Sequence, residues 1–346
     1  MKNLRIYLSL FLSMTCAALF ADGPTATLQQ GDVLTVYYGN DAFQKAYAAA
    51  EDGGIITLSP GTFTQLSANL EKSLTINGTY GMSPDSANTT YINQIIVKAD
   101  NVKIEGILFQ YINLGTITNC TIKRCGTSYL TSNSSSDQNT NTLVDQCIIF
   151  QYDHAFTNGV NYAIKNSTIN YFYNDSNPST QLANITNCWI WNFYCYNSST
   201  GRPYAVYKNN VLCINSYTWS SSSNYNLTLS APSEFYNNCF YLIGSSNKTY
   251  RYMPSFSSGC LNTGNTILPT SGTAVFNMNP ASITNSYFPY RDSLNLKGAD
   301  NTPMGIMGGT GFNDYPAIPR VLNATIDAQN DGEGYLNASI KVKAER

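Results

Sequence analysis

Asp145 and Lys165 hold equivalent positions in neighbouring copies of a sequence repeat, so stacking the copies sets an acid beside a base. Adjacent parallel strands lie about 4.8 Å apart, close enough for proton transfer and equally for a plain surface ion pair. Lys208 takes the same position two copies further on. A second candidate pair is the single histidine, His154, with its neighbour Asp153. Imidazole is the usual general base near neutral pH, but a Ser-His-Asp relay also needs an activated serine, and the chain has no G-x-S-x-G. Glycoside hydrolysis needs two carboxylates at a controlled separation. Acids between residues 100 and 295 are few, the main ones being Glu105, Asp137, Asp145, Asp153, Asp175, Glu234 and Asp292. Arg202, Arg251 and Arg291 fall in loops, and one of them facing Asp145 would strengthen a catalytic reading. No C-x-x-C spacing occurs, so no zinc site is expected, and no metal or cofactor is assigned.

A different chemistry is suggested by aromatic residues that recur beside the repeat. Phe150, Trp189, Trp191, Phe240 and Tyr287 fall at positions expected to point away from the core. Such a stripe serves as a sugar-stacking platform, as a protein interface, or as a patch covered by insertions such as 127–142 and 216–233. An uncovered stripe without an acid–base cluster favours binding. A groove holding two acids and an Arg or Lys favours an enzyme.

The repeat itself reads apolar, any, Asn, small, any, apolar. Copies run from Ile117 to Ile122, Ile164 to Ile169, Ile185 to Ile190, Tyr236 to Tyr241 and Ile283 to Phe288, with degenerate copies starting at Val144, Tyr207 and Asn262. The third positions are 119, 146, 166, 187, 209, 238, 264 and 285, a spacing of twenty-odd residues that marks a solenoid. Within a straight strand, side chains alternate with period two, yet the apolar residues stand at positions one, four and six. The face must switch at position three. Asn is the non-glycine residue best suited to the left-handed backbone of a sharp corner. The expectation is therefore a ladder of corner asparagines: Asn119, Asn166, Asn187, Asn209, Asn238 and Asn285. Helical repeats would need apolar spacings of three and four, which the region lacks. The fold class expected is all-β, a single-stranded right-handed parallel β-helix of about ten coils.

Open solenoid ends expose core and unpaired strand, so caps are expected. Asp41 stands as N-cap of a short helix burying Ala42, Phe43, Ala46, Tyr47 and Ala50, stopped by Gly53-Gly54. At the other end, 321–326 and 336–342 flank a Gly-containing turn and read as a β-hairpin, either a cap or an attachment element. The first 21 residues read as an export signal: Lys2 and Arg5, an apolar run to Phe20, and Ala21 before the cut. No later apolar run is long enough for a transmembrane helix. Three parts follow: a signal at 1–21, the capped β-helix at 22–311, and an extension at 312–346. The expected location is secreted, periplasmic or on the cell surface.

The segments DAFQKAYAAAEDGGIITLSPGTF (41–63), KSLTINGTYG (72–81) and NVKIEGILF (101–109) resemble opening coils of right-handed parallel β-helix proteins of the pectate-lyase-like superfamily. RDSLNLKGADNTPMGIMGG (291–309) is similar to their closing segment. This resemblance implies the fold. For activity it implies a choice between polysaccharide lyases, glycoside hydrolases and non-enzymatic surface proteins, and calcium only if the chain is a lyase.

Of nine cysteines, Cys16 leaves with the signal. Cys120, Cys147, Cys188 and Cys239 all stand at the inward fourth position, where a column of small buried thiols and hydroxyls is favoured over disulfides. A Cys120–Cys147 bridge is geometrically allowed between adjacent coils, while Cys125, Cys195, Cys213 and Cys260 sit elsewhere and are open to pairing. With 19 basic and 21 acidic residues, the chain lacks the basic footprint of a nucleic-acid binder. The favoured expectation is an exported, non-catalytic β-helix presenting a flat face to a polysaccharide or a surface protein. The alternatives are a polysaccharide lyase or glycoside hydrolase with divergent machinery, and a self-associating structural surface protein.

Overall fold

The computed structural model describes residues 23–80, 89–134, 136–153, 159–173, 183–194, 205–215, 228–229, 233–243, 248–267, 272–273, 296–306, 308–310, 320–326 and 338–343. The signal segment, His154, Cys195, Asn285 and Tyr287 lie outside them.

The described chain is a parallel β-solenoid built on two long sheets. In the first, parallel strands stack in sequence order from Ile55–Leu58 through Lys103–Glu105, Thr121–Lys123, Leu143–Asp145 and Tyr162–Lys165 to Asn262–Thr263. The second stacks from Gly61–Phe63 through Leu108–Leu114, Gly126–Ser132, Ile148–Asp153 and Trp189–Tyr194 to Cys239–Ile243. Register is kept by apolar columns. Ile76, Ile104, Ile122, Val144, Ile164 and Ile185 align inside the first sheet and are fully buried. A one-residue slip would turn such a column to solvent, at roughly 1.5–3 kcal/mol per side chain.

The sheets meet at a corner where Gly106, Arg124, Gln146, Asn166, Asn187, Asn209, Asn237 and Gly264 all have φ between 44° and 69°. From Gly106 to Asn237 these corners delimit six turns. The expectation of about ten regular coils overcounts, because the rungs nearer the N-terminus lack the left-handed corner. Two expected ladder members are reassigned. Asn119 belongs to a second corner with Asn101, Asn141 and Asn161, whose exposed amides bond rung to rung at 3.2, 3.2 and 2.7 Å. The motif reads the two corners alike here, since Asn119-Cys120 on one and Asn166-Ser167 on the other are each an Asn followed by a small residue. In the 236–241 copy the corner is Asn237 (φ 52°), and Asn238 points inward, fully buried. Aromatics at both Tyr236 and Tyr241 and the Asn-Asn pair concealed that one-residue offset.

Behind the first corner runs an inward column: Cys125, Cys147, Ser167, Cys188, Asn210, Asn238 and Asn265. Each corner swings the next N–H out of the strand ladder, and the side chain one rung on accepts it. Ser167 Oγ accepts from Cys147 N at 3.0 Å, Asn210 Oδ1 from Cys188 N at 2.8 Å, and Asn238 Oδ1 from Asn210 N at 3.0 Å. The amides also donate back to the preceding rung, Asn210 Nδ2 to Ile185 O at 2.8 Å and Asn238 Nδ2 to Tyr207 O at 2.9 Å. Small polar residues are thus needed here, because a buried N–H without a partner costs about 1–3 kcal/mol. Cys120 is not in this column but behind the second corner, so a Cys120–Cys147 bridge is excluded. Cys239 is likewise outside it, facing outward on the second sheet. Among the described cysteines all are free and buried, and burial holds the Cys125 and Cys188 thiols up at about 12.

At the N-terminal end, β1 (Thr25–Gln30) and β2 (Val33–Tyr38) form an antiparallel hairpin that continues the first sheet, β1 pairing with β3 (Ile55–Leu58). The sequence pattern had not revealed it. Helix α1 (Ala42–Ala49) follows, burying Ala42, Phe43 and Ala46. Asp41 occupies the N-cap position but makes no side-chain cap bond; its carboxylate pairs instead with Lys45 at 2.8 Å. The expected C-terminal hairpin is present, Arg320–Ile326 antiparallel to Ala338–Lys343.

Candidate functional site

Just before the first corner, the first sheet carries a row of charge: Glu105, Lys123, Asp145 and Lys165 on successive rungs. Asp145 and Lys165 are register partners, as expected. No ion pair links them. The close contacts lie one rung back, where Glu105 takes Lys123 at 3.8 Å and Arg124 through Nε at 2.7 Å and through Nη2. Arg124 is only 4% exposed. Of the arginines weighed from sequence, Arg202 and Arg291 lie outside the described residues and Arg251 ends a strand, Lys248–Arg251, rather than sitting in a loop; Arg124 was missed. The available signal was its corner position, five residues after the Asn119 of another Asn-small pair.

Asp145 Oδ1 is buried and accepts no hydrogen bond. Burial raises the Asp145 carboxyl above its ordinary range, against the pull of Lys123, Lys165 and Arg124, with Glu105 pushing the same way as burial. The folded state therefore favours the protonated acid. Its contribution to stability is fully present below the ordinary carboxyl range and is lost as pH rises through the raised value. Asp145→Asn should melt about 1–2 °C above the parent at pH 7, a small shift because the group is partly solvated, and match it near pH 3. A thermal melt at both pH values checks this; a lower melting temperature for Asp145→Asn at pH 7 would contradict it. Of the other expected pair, Asp153 lies in strand Ile148–Asp153 beside Tyr173, and His154 is outside the described residues.

The aromatic stripe is arranged differently from the expectation. Phe240 points inward and is fully buried, because the one-residue offset at Asn237 flips its strand. Trp191 is 8% exposed and packs with Val211, Cys213, Cys239, Tyr241 and Met304. The half-buried Trp189 gives its indole N–H to Tyr241 Oη at 3.1 Å. Where the cover is described, it is not an insertion but the closing segment 296–310. That segment descends the corner ladder as a strap. Asp300 Oδ2 accepts from Asn237 Nδ2 at 2.6 Å, and Gly305 N donates to Asn209 O at 2.8 Å. Asn187 Nδ2 donates to Pro303 O at 3.1 Å, and Asn166 Nδ2 to Ile306 O at 2.9 Å and Gly308 O at 2.6 Å. The corner asparagines thus hold the strap as well as turning the chain. Gly298 and Gly308 are required by closeness: a Cβ on Gly308 would lie 2.1 Å from Asn187 Nδ2 and 2.2 Å from Pro303 O.

Among the described residues, a partly exposed row on the second sheet lies N-terminal to the strap: Gln94, Tyr111, Tyr129, Gln151 and Tyr171, in register on successive rungs. Tyr111 is 38% exposed and the others are half-buried. Tyr111 and Tyr129 stack with centroids 5.1 Å apart at 12°. Phe150 meets Tyr171 edge-on at 5.7 Å. The row ends at Asn192, which is buried with its amide on Asn170 O at 2.9 Å. Among the described residues no group of three or more His, Cys, Asp or Glu could hold a metal ion, and no helix is long and apolar enough to cross a membrane.

No family model, no curated protein and no solved structure matches the chain.

Proposed function

We propose that this is an exported, non-catalytic β-helix of the pectate-lyase-like kind whose second sheet binds a neutral polysaccharide along the row Gln94–Tyr111–Tyr129–Gln151–Tyr171. The carrying observation is the row itself. It repeats uncharged hydroxyl and amide groups at the strand spacing, about 4.8 Å, on a flat face. Because Tyr111 and Tyr129 stack on each other, they offer hydroxyls and ring edges outward, so a sugar would be held chiefly by hydrogen bonds rather than lie flat on a ring. The export reading rests on the leader-like first 21 residues.

Titration against neutral and anionic polysaccharides tests the proposal. Replacing both Tyr111 and Tyr129 by Ala should weaken binding to a neutral glycan at least about tenfold, the loss of roughly 1.4 kcal/mol. Equal binding by the double variant would place the ligand elsewhere.

A glycoside hydrolase is the second reading, favoured by one observation: Asp145, with its raised carboxyl and unbonded oxygen, lies two rungs from Glu105. New reducing ends released from any glycan by the parent and not by Asp145→Asn would establish it and end the non-catalytic reading.

A further inference from the structure

Two buried polar atoms on the outer face of the second sheet make no hydrogen bond, and they stand where the tyrosine row meets the strap-covered tryptophans. Thr168 and Asn170 lie two residues apart in strand Thr168–Tyr173, so their side chains leave the same face, while Ile169 between them points inward. Thr168 is 2% exposed and Asn170 1%. The atoms without a bond are Thr168 Oγ1 and Asn170 Nδ2. The other end of the Asn170 amide is engaged: Oδ1 accepts from Asn192 Nδ2 at 3.2 Å, and Asn192 Nδ2 also donates to Asn170 O at 2.9 Å. That contact fixes which way the amide faces and leaves its NH2 group as the unbonded end. An unmatched buried polar group costs about 1–3 kcal/mol. The inward column matches its amides, as Asn210 and Asn238 show, so the lapse at Thr168 and Asn170 calls for a cause.

The surroundings are apolar and aromatic. Register sets Thr168 between Ile148 and Trp189. Asn170 falls between Phe150 and Trp191 of the neighbouring rungs, because Ile149, Ile169 and Ile190 pair in line, as do Gln151, Tyr171 and Asn192. Met304 of the strap packs with Trp191. Phe150 and Tyr171, both half-buried and edge-on at 5.7 Å, stand beside the two polar side chains at the end of the tyrosine row. A few converging polar atoms among apolar walls is the make-up of a small-molecule site. The atoms also specify what fits. A donor and a hydroxyl two residues apart complement a secondary amide, whose carbonyl takes the Asn170 N–H and whose N–H gives to Thr168 Oγ1. A sugar hydroxyl meets one of these atoms; an acetamido group meets both and sets its methyl against the aromatic walls.

We infer that Thr168 and Asn170 hold the acetamido group of an N-acetylhexosamine, so that the polysaccharide on the Tyr111–Tyr129 row is a neutral, N-acetylated one. This inference rests on the glycan-binding reading and narrows it. Entry requires the half-buried Phe150 side chain to turn aside, a change of rotamer.

Calorimetric titration with paired oligosaccharides of equal length tests it: chito- against cello-oligosaccharides, and oligomers of N-acetylgalactosamine against those of galactose. In at least one pair the acetylated member should bind the parent at least about tenfold more tightly. Thr168→Val keeps the shape of the side chain and breaks no internal hydrogen bond, so the variant should melt no lower than the parent. Its affinity for the acetylated sugar should nevertheless fall at least about threefold, and its affinity for the unacetylated one should not change. Asn170→Asp keeps the oxygen that Asn192 holds and removes the donor, so the preference within the pair should vanish. Equal affinity of the parent within every pair overturns the inference and leaves the glycan-binding reading standing. So does parental affinity of Thr168→Val for the acetylated sugar, or a loss in that variant that is equal for both members of the pair. A parent that binds no neutral glycan removes both readings.

Discussion

Gly308→Ala is expected to open the strap and to lower the stability of the C-terminal turns by about 1–3 kcal/mol, the range for forcing atoms into a filled site. The cause is local and specific. The new methyl would overlap Asn187 Nδ2 and Pro303 O, so either the Asn187–strap bond or the turn at Pro303 must break. Losing that contact uncovers Trp191, Val211 and Cys239. A solenoid unfolds in units set by neighbouring rungs, so loss of the strap need not melt the coils nearer the N-terminus. Urea titration followed by tryptophan emission in a Trp219→Phe background reports on Trp189 and Trp191 alone. The emission midpoint should fall and move to lower urea than the midpoint of the far-ultraviolet signal. Coincident transitions at the parental midpoint would show that the strap bears no load.

Asn238→Gly is expected to cost about 3 kcal/mol or more, while Asn237→Gly stays within about 1 kcal/mol of the parent. The two asparagines are neighbours with opposite duties. Asn237 has φ 52°, a conformation that glycine supplies freely at the equivalent positions Gly106 and Gly264. Its side chain contributes one exposed bond to Asp300. Asn238 is buried and makes four polar contacts: with Tyr207 O, with Asn210 N and Nδ2, and with the amide of Asn265. Removing it strands a carbonyl and an N–H inside the solenoid. Denaturant midpoints of the two variants decide the matter. The reverse ranking would mean that Asn238 is the corner, as the bare repeat motif suggests.

That contrast marks how far the sequence reaches. The solenoid was legible because an Asn corner followed by an inward small residue recurs every twenty-odd residues, and neither helix nor straight strand accommodates that parity. The N-terminal helix and the C-terminal hairpin were legible from local apolar spacing and turn residues. The register partnership of Asp145 with Lys165 followed from the repeat alone. Local pattern did not distinguish the two corners, since Asn119 and Asn166 sit in the same six-residue context on different edges of the coil. Nor did it reveal a one-residue offset where aromatics occupy both parities, and that offset moved Phe240 from a supposed surface to the core. The strap was beyond any local reading. Its bonds join Asn166 to Gly308 and Asn237 to Asp300, across separations of 142 and 63 residues.

The sequence by itself determined the stacking of the chain, because backbone corner preference and apolar alternation act over a few residues. Only the tertiary structure decided which faces remain open: the strap seals Trp191, the register buries Phe240 and leaves Tyr111 exposed, and the corner residue Arg124 meets Glu105. Burial and long-range contact are properties of the assembled coils, and no six-residue window contains them.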